Sequence, residues 1–392
     1  MGEYIEIDIS LTGETSHKVT VPIGQGSLSI GTKGISKGKY DVWVERESVI
    51  NWNAFNEFFT GHGQNHKEIF PYGDWPRFFN YSGNDCGFIE WSFKRSIEDF
   101  HWFPQTDMVV DLTNANIKRL SIHAEKNTIQ LTTGDSLMHL ALSGCIENIT
   151  FKECSKIPYM SFCFDCPETE NRAYQLSVYK VLEQATSIDI ANSPMGTAFD
   201  CESLLQFRNL KNLNLEGNMT NLSALAELIN LERIGLRFVP DLQDMPRLKS
   251  WTCLKSFIGY NIEEMAGRAL RTELNKLSRE RELDEYSSVT KLRKGIWFVT
   301  EYGIPFSGWE DRNAKIATKA YKSCLIEIKK SKTENEVHES IVKFIEKINS
   351  LDGIETSERE DVGIAISQLA GTSSLETPQG KWQLWFDETR NF

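Results

Sequence analysis

Apolar and polar residues alternate from the first positions of the chain. Ile5, Ile7, Ile9 and Leu11 are followed by Val19 and Val21, by Leu28 and Ile30, and by Tyr40, Val42 and Val44. Side chains on a strand point to opposite faces in turn, so a period of two predicts strands with one buried face. Glycines at 13, 24, 26, 31, 34 and 38 fall between these runs, and residues 1–45 read as a small antiparallel sheet. Further along a longer period takes over. Ile117, Leu120 and Ile122 recur as Leu137, Leu140 and Leu142 and again as Ile157, Met160 and Phe162, with starts twenty residues apart. A second track keeps the same step, Ile129 and Leu131 returning as Ile149 and Phe151. Two short strands per unit are expected there. The pattern resumes at Ala185, Ile188 and Ile190, then at Leu210, Leu213 and Leu215, then at Leu231, Ile234 and Leu236. It ends at Leu254 and Phe257, with Gly259 in the third apolar place. These later steps are 25, 21 and 23 residues, and the intervening Leu222, Leu225 and Leu228 have helical spacing, which predicts a strand followed by a helix.

Composition shifts near residue 266. Arg268 to Leu283 is charged and reads as a helix, and Gly295 to Val299 is a short apolar run that reads as a buried strand. Three amphipathic helices follow. The first carries Ala317, Tyr321, Cys324, Leu325 and Ile328 on one face. The second opens on a capping-box pair, Thr333 and Glu336, and buries Val337, Ile341, Phe344, Ile345 and Ile348. The third starts at Ser357 and Glu360, buries Val362, Ala365, Ile366 and Leu369, and stops at Gly371. Trp382, Leu384 and Phe386 alternate and read as a closing strand.

Residues 50–105 are dense in aromatics, from Trp52 and Phe55 through Phe79, Tyr81, Phe88 and Trp91 to Phe100, Trp102 and Phe103. Large rings dominate cores, so these are expected to fill a small core and cap the first unit. They can also line a ligand site. The alternative function is therefore an enzyme or small-ligand sensor using this region with His62, His66 or His101.

A chain of 392 residues exceeds one ordinary core, so two or three domains are expected. The net charge of −12 argues against nucleic acid and anionic membrane as partners, because both are bound through positive charge. The same charge would steer a basic protein partner. No leader or membrane-spanning run is read, and the eight cysteines lack the dense spacing of a disulfide framework, so a reduced cytoplasmic setting is expected.

Motifs for chemistry are weak. His62 and His66 with Glu68 would share a face only on a helix, and Gly61 and Gly63 oppose one. Cys163 and Cys166 form a C-x-x-C without a second ligand pair. Gly24, Gly26, Gly31 and Gly34 precede strand-like sequence, so they read as hairpin turns rather than a phosphate loop. Glu358, Glu360 and Asp361 form an acidic run suited to a helix N-terminus. No catalytic residue, metal or cofactor is assigned.

The segment Leu210-Lys211-Asn212-Leu213-Asn214-Leu215-Glu216-Gly217-Asn218 matches L-x-x-L-x-L-x-x-N throughout, and Leu137–Cys145 follows it closely. Residues 108–262 thus resemble the leucine-rich repeat family. The stretch from Trp309-Glu310-Asp311-Arg312 through Gly353-Ile354-Glu355-Thr356-Ser357-Glu358-Arg359-Glu360-Asp361 resembles a helical tail of bacterial proteins of unknown function, some of which resemble immunity proteins of polymorphic toxin systems. The resemblance implies an α/β fold: a short leucine-rich-repeat solenoid with a β-rich N-terminal domain and a mainly α-helical C-terminal domain. The boundaries read as 1–107, 108–265 and 266–392. The family's role is protein recognition without catalysis, and a toxin-neutralising immunity protein is the more specific form. The outward strand positions are the expected partner-binding residues: Arg119, His123, His139, Tyr159, Asp189, Asn212, Asn214, Glu216, Arg233, Arg237 and Tyr260.

Overall fold

The computed structural model describes residues 4–12, 15–22, 27–36, 40–45, 49–55, 78–94, 96–164, 173–179, 182–193, 196–300, 305–354, 356–373, 375 and 377–391. His62, His66, Glu68, Gly24, Gly26 and Cys166 lie outside them. The chain forms two compact units, Met1–Arg293 and Lys294–Phe392.

In the first unit, β1 (Tyr4–Thr12) and β2 (Thr15–Pro22) pair antiparallel as a separate hairpin. The antiparallel reading holds for these two alone. The next strands, β3 (Ser27–Thr32) and β4 (Val42–Val44), run parallel to one another in a much larger sheet. They are followed by β5 (Phe78–Ser82), helix α1 (Gly87–Lys94) and β6 (Ile97–Phe103). Then come β7 (Met108–Leu112), β8 (Ile117–Ala124), β9 (Ile129–Thr133), β10 (His139–Gly144), β11 (Ile149–Cys154) and β12 (Tyr159–Phe164). The unit continues through β13 (Ser187–Ala191), β14 (Phe199–Asp200), β15 (Asn212–Glu216), β16 (Met219–Thr220), β17 (Arg233–Arg237) and β18 (Ser256–Tyr260). Helix α2 (Glu264–Glu280) and the short β19 (Ser288–Thr290) complete it.

Among the described residues the large sheet has twelve strands in the order β19-β18-β17-β15-β13-β12-β10-β8-β6-β5-β3-β4, and from β5 to β19 it grows in chain order. Each strand repeats the apolar spacing in register with its neighbours. Phe100, Leu120, Leu140, Met160, Ile188, Leu213, Ile234 and Phe257 form one buried row. Trp102, Ile122, Leu142, Phe162, Ile190, Leu215 and Leu236 form a second, two residues on along each strand. The second sequence track forms its own three-stranded parallel sheet, order β11-β9-β7. Its Val110, Ile129, Leu131 and Ile149 belong to the same continuous core. Beyond β13 the track changes to short 3-10 turns at Cys201–Gln206, Leu222–Glu227 and Leu248–Ser250. The expected helix is thus a three-residue-per-turn one, for which the spacing of Leu222 and Leu225, both buried, is suited.

Helix α2 and β19 lie in the first unit, so the composition shift at 266 falls inside it. The charged residues of α2 cover its solvent side, while Leu270, Leu274 and Leu277 enter the first core. Arg271 Nε donates to the carbonyl of Val289 on β19 at 2.9 Å.

The second unit has its own core. Gly295–Thr300 is helix α3, not the expected strand. A short apolar run does not by itself distinguish the two. Helices α4 (Asp311–Ile328), α5 (Glu334–Asn349) and α6 (Thr356–Gly371) match the periodic reading, and the Thr333–Glu336 capping box is formed. Residues expected as a closing strand form helix α7 (Thr377–Thr389). Trp385 and Phe386 are buried and Leu384 is 57% exposed, which is helical and not alternating burial. Asp361 accepts a 2.9 Å hydrogen bond from Trp309 Nε1, so the acidic run also serves the edge of this core. Burial raises the Asp361 carboxyl above its ordinary value, the Trp309 bond opposing.

Candidate functional site

The outward positions of the large sheet stack into rows, because parallel strands in register set equivalent side chains side by side. One row reads Asp99, Arg119, His139, Tyr159, Ser187, Asn212, Arg233 and Ser256. The next reads His101, Ser121, Ala141, Ser161, Asp189, Asn214, Gly235 and Ile258. A third carries His123, Ser143, Cys163, Ala191, Glu216, Arg237 and Tyr260. All eleven expected binding residues therefore lie on one face, spread over seven strands.

Contacts run along this face from strand to strand. Asp99 is 3.2 Å from both His101 Nε2 and Arg119 Nη1. Burial works to raise the Asp99 carboxyl, but His101 and Arg119 outweigh it and hold it below its ordinary value. Arg119 Nε donates to His139 Nδ1 at 2.9 Å, and His139 Nε2 lies 2.8 Å from Ser161 Oγ. A guanidinium can only donate, so His139 Nδ1 is unprotonated and the neutral ring donates from Nε2. Burial first, and then the Arg119 charge, push His139 down to about 4. The ring stacks on Tyr159, with centroids 4.0 Å apart and planes 3° from parallel. The Tyr159 hydroxyl donates to Asp189, whose other oxygen accepts from Asn214 Nδ2 at 2.7 Å. Burial and the Asp189 carboxylate raise the Tyr159 phenol to about 12. Asn212 Nδ2 donates to Ser187 Oγ at 2.8 Å, and His123 Nδ1 lies 3.0 Å from Ser143 Oγ. Glu216 is raised by burial, with Arg237 opposing.

A groove of about 710 Å³ opens along β12–β18, lined by Tyr159, Asp189, Asn212, Asn214, Arg233 and Gly235 and flanked by Asp284 and Tyr286. The space over Gly235 is taken by the Asn214 amide: a Cβ there would sit 2.2 Å from Asn214 Oδ1. Glu232 at its margin is bound by Lys255 at 2.6 Å and Lys211 at 3.0 Å, which hold its carboxyl down to about 2.

Asp99, His101, Ser161 and Tyr286 belong to this surface and none was among the eleven expected partner-binding residues, His101 having been expected only for the ligand-site alternative. A signal for the first two existed. Ile97, Phe100 and Trp102 repeat the apolar spacing one twenty-residue step before Ile117, with rings in place of leucines. Among the described aromatics of this stretch, Trp52 lies within 6.4 Å of the rings of Phe79, Tyr81, Phe88, Trp91 and Phe100. Cys163 is exposed on β12. Among the described residues no three His, Cys, Asp or Glu side chains converge as metal ligands, and no helix is long and apolar enough to cross a membrane. Comparison with protein-family models, with curated proteins and with solved structures finds no match.

Proposed function

We propose that residues 108–262 form a leucine-rich-repeat-like solenoid and that the chain is a non-enzymatic protein-binding module. The partner is taken on the outward face of the large sheet. The observation that carries this reading is the row of contacts from His101 through Asp99, Arg119, His139, Tyr159 and Asp189 to Asn214. These side chains are held before any partner arrives, so little rotamer freedom is lost on binding. A network of this kind converges on no single reacting atom and extends instead over a broad area, which suits recognition. The net charge of −12 would draw a basic partner at long range. Neutralisation of a toxin by covering its active surface is the specific form of this function.

Affinity capture from native lysate tests the proposal with the wild-type chain beside Arg233→Glu/Arg237→Glu. One protein is expected to be enriched by the wild type and lost from the variant at unchanged melting temperature. A partner retained by the variant, or none with the wild type, sinks it. For the immunity form, co-expression is expected to relieve the toxicity of a neighbouring gene's product.

A further inference from the structure

We infer that helix α4 of the second unit is a peripheral docking face for an anionic lipid surface, reached through a stripe of cations that the net charge of the chain conceals. It is separate from the sheet face above and does not rest on the protein-binding reading. Residues 311–332 carry seven Lys or Arg against two Asp or Glu, while the rest of 294–392 carries six against fourteen. Along α4 the cations are also ordered. At about 100° per residue, Arg312, Lys315, Lys319, Lys322 and the C-capping Lys329 fall within an arc of about 100°. The buried Ala317, Tyr321, Cys324 and Ile328 lie on the opposite side, against the core of this unit. Arg312, Lys315, Lys319 and Lys329 are exposed and make no ion pair among the described residues. Of the carboxylates on or beside the helix, Glu310 and Asp311 stand at its N-terminal end, and Glu327 lies outside the arc, 4.0 Å from Lys343 Nζ.

This arrangement works against the helix itself. Lys315 and Lys319 repel at i,i+4, Arg312 and Lys315 at i,i+3, and cations in the first turns oppose the macrodipole. A face that only meets water is served by mixed charge, whereas a single sign attracts a surface of the other sign. Two features select lipid over nucleic acid. The cations form one band, which a plane meets along the whole helix, while a helix seated in a duplex groove meets phosphates on both flanks. Ile326, 55% exposed, sits at the middle of the arc between Lys322 and Lys329. It would enter the boundary between headgroups and acyl chains, with the lysine stems carrying their charges to the headgroups. Distant carboxylates of the chain weigh little there, because physiological salt screens a charge over about 8 Å.

The test is flotation of the intact chain at low salt with vesicles of phosphatidylcholine, either alone or mixed equally with phosphatidylglycerol. The chain is expected to float with the anionic vesicles, to remain at the bottom with the neutral ones and to be released by added salt. Each cation at a charged bilayer contributes about five-fold, so Lys315→Gln/Lys319→Gln should lower the partition coefficient roughly thirty-fold. Ile326→Ser should lower it several-fold. Lys118→Gln/Lys156→Gln, an equal loss of charge at exposed positions of the first unit, should leave it unchanged. Melting temperatures of the α4 lysine variants should hold or rise, since like charges are removed. No flotation of the wild type, or an equal loss in the Lys118 and Lys156 pair, overturns the proposal. Binding of a DNA duplex or of poly-glutamate that falls with Lys315→Gln/Lys319→Gln, in a chain whose flotation ignores Ile326→Ser, reassigns the stripe to that polyanion and overturns the lipid surface.

Discussion

At the scale of single residues, His139 has the clearest consequence. Its ring is neutral in the folded chain, facing Arg119, Asp99 and Asp189, and titrates at about 4 against an ordinary 6.5. The unfolded chain binds the proton first, so this stabilisation is complete above pH 6.5 and is lost as pH falls towards 4. The drop in melting temperature from pH 7 to pH 5 is expected to be smaller in His139→Gln, which keeps an acceptor and a donor without titrating. Equal drops would remove His139 as a source. Gly217 gives a second case. It follows β15 with φ +99°, and a Cβ there would lie 2.0 Å from the carbonyl oxygen of Asn192. Gly34 has φ +75° with open space around it. Urea unfolding of Gly217→Ala is expected to show a loss on the order of 2–4 kcal/mol, against about 1 for Gly34→Ala. Gly217 also shows what the repeat spelling conceals. In the match Leu210–Asn218 it occupies a free position, yet a Cβ there would meet the backbone of Asn192.

At the scale of elements, strands were legible wherever two or more apolar residues recurred at a fixed step, because register multiplies a weak local signal. The outward residues followed from the same arithmetic. Helix against strand was not legible for isolated runs. Trp382, Leu384 and Phe386 suggest alternation, but burial follows Trp385 and Phe386 on helix α7. The two patterns give opposite mutational results. Leu384→Asp is expected to stay within about 0.5 kcal/mol of wild type, and Trp385→Ala to cost about 3 kcal/mol. A strand would reverse that order in thermal unfolding. The capping box at Thr333 was readable because both partners lie within four residues, so no tertiary information was needed. The contacts from Asp99 to Asn214 were not readable, since rotamers and donor geometry decide them.

At the scale of the molecule, the chain divides into two cores after Arg293 and not at 266. Charge density marked the solvent side of helix α2, and a surface carries no information about which core lies beneath it. The second unit, residues 294–392, is expected to unfold cooperatively when expressed alone, as seen by calorimetry. A fragment starting at 266 would carry α2 away from the core that holds its leucines.

The sheet also has to end. Its last strand, β19, is three residues long, and one of its carbonyls is already taken by Arg271. A growing stack of strands offers its final backbone to any extended chain in reach, including another copy of itself. The guanidinium on Val289 leaves one acceptor fewer for such an addition. Arg271→Ala is expected to raise light scattering on storage at high concentration, while the folded chain keeps its circular dichroism.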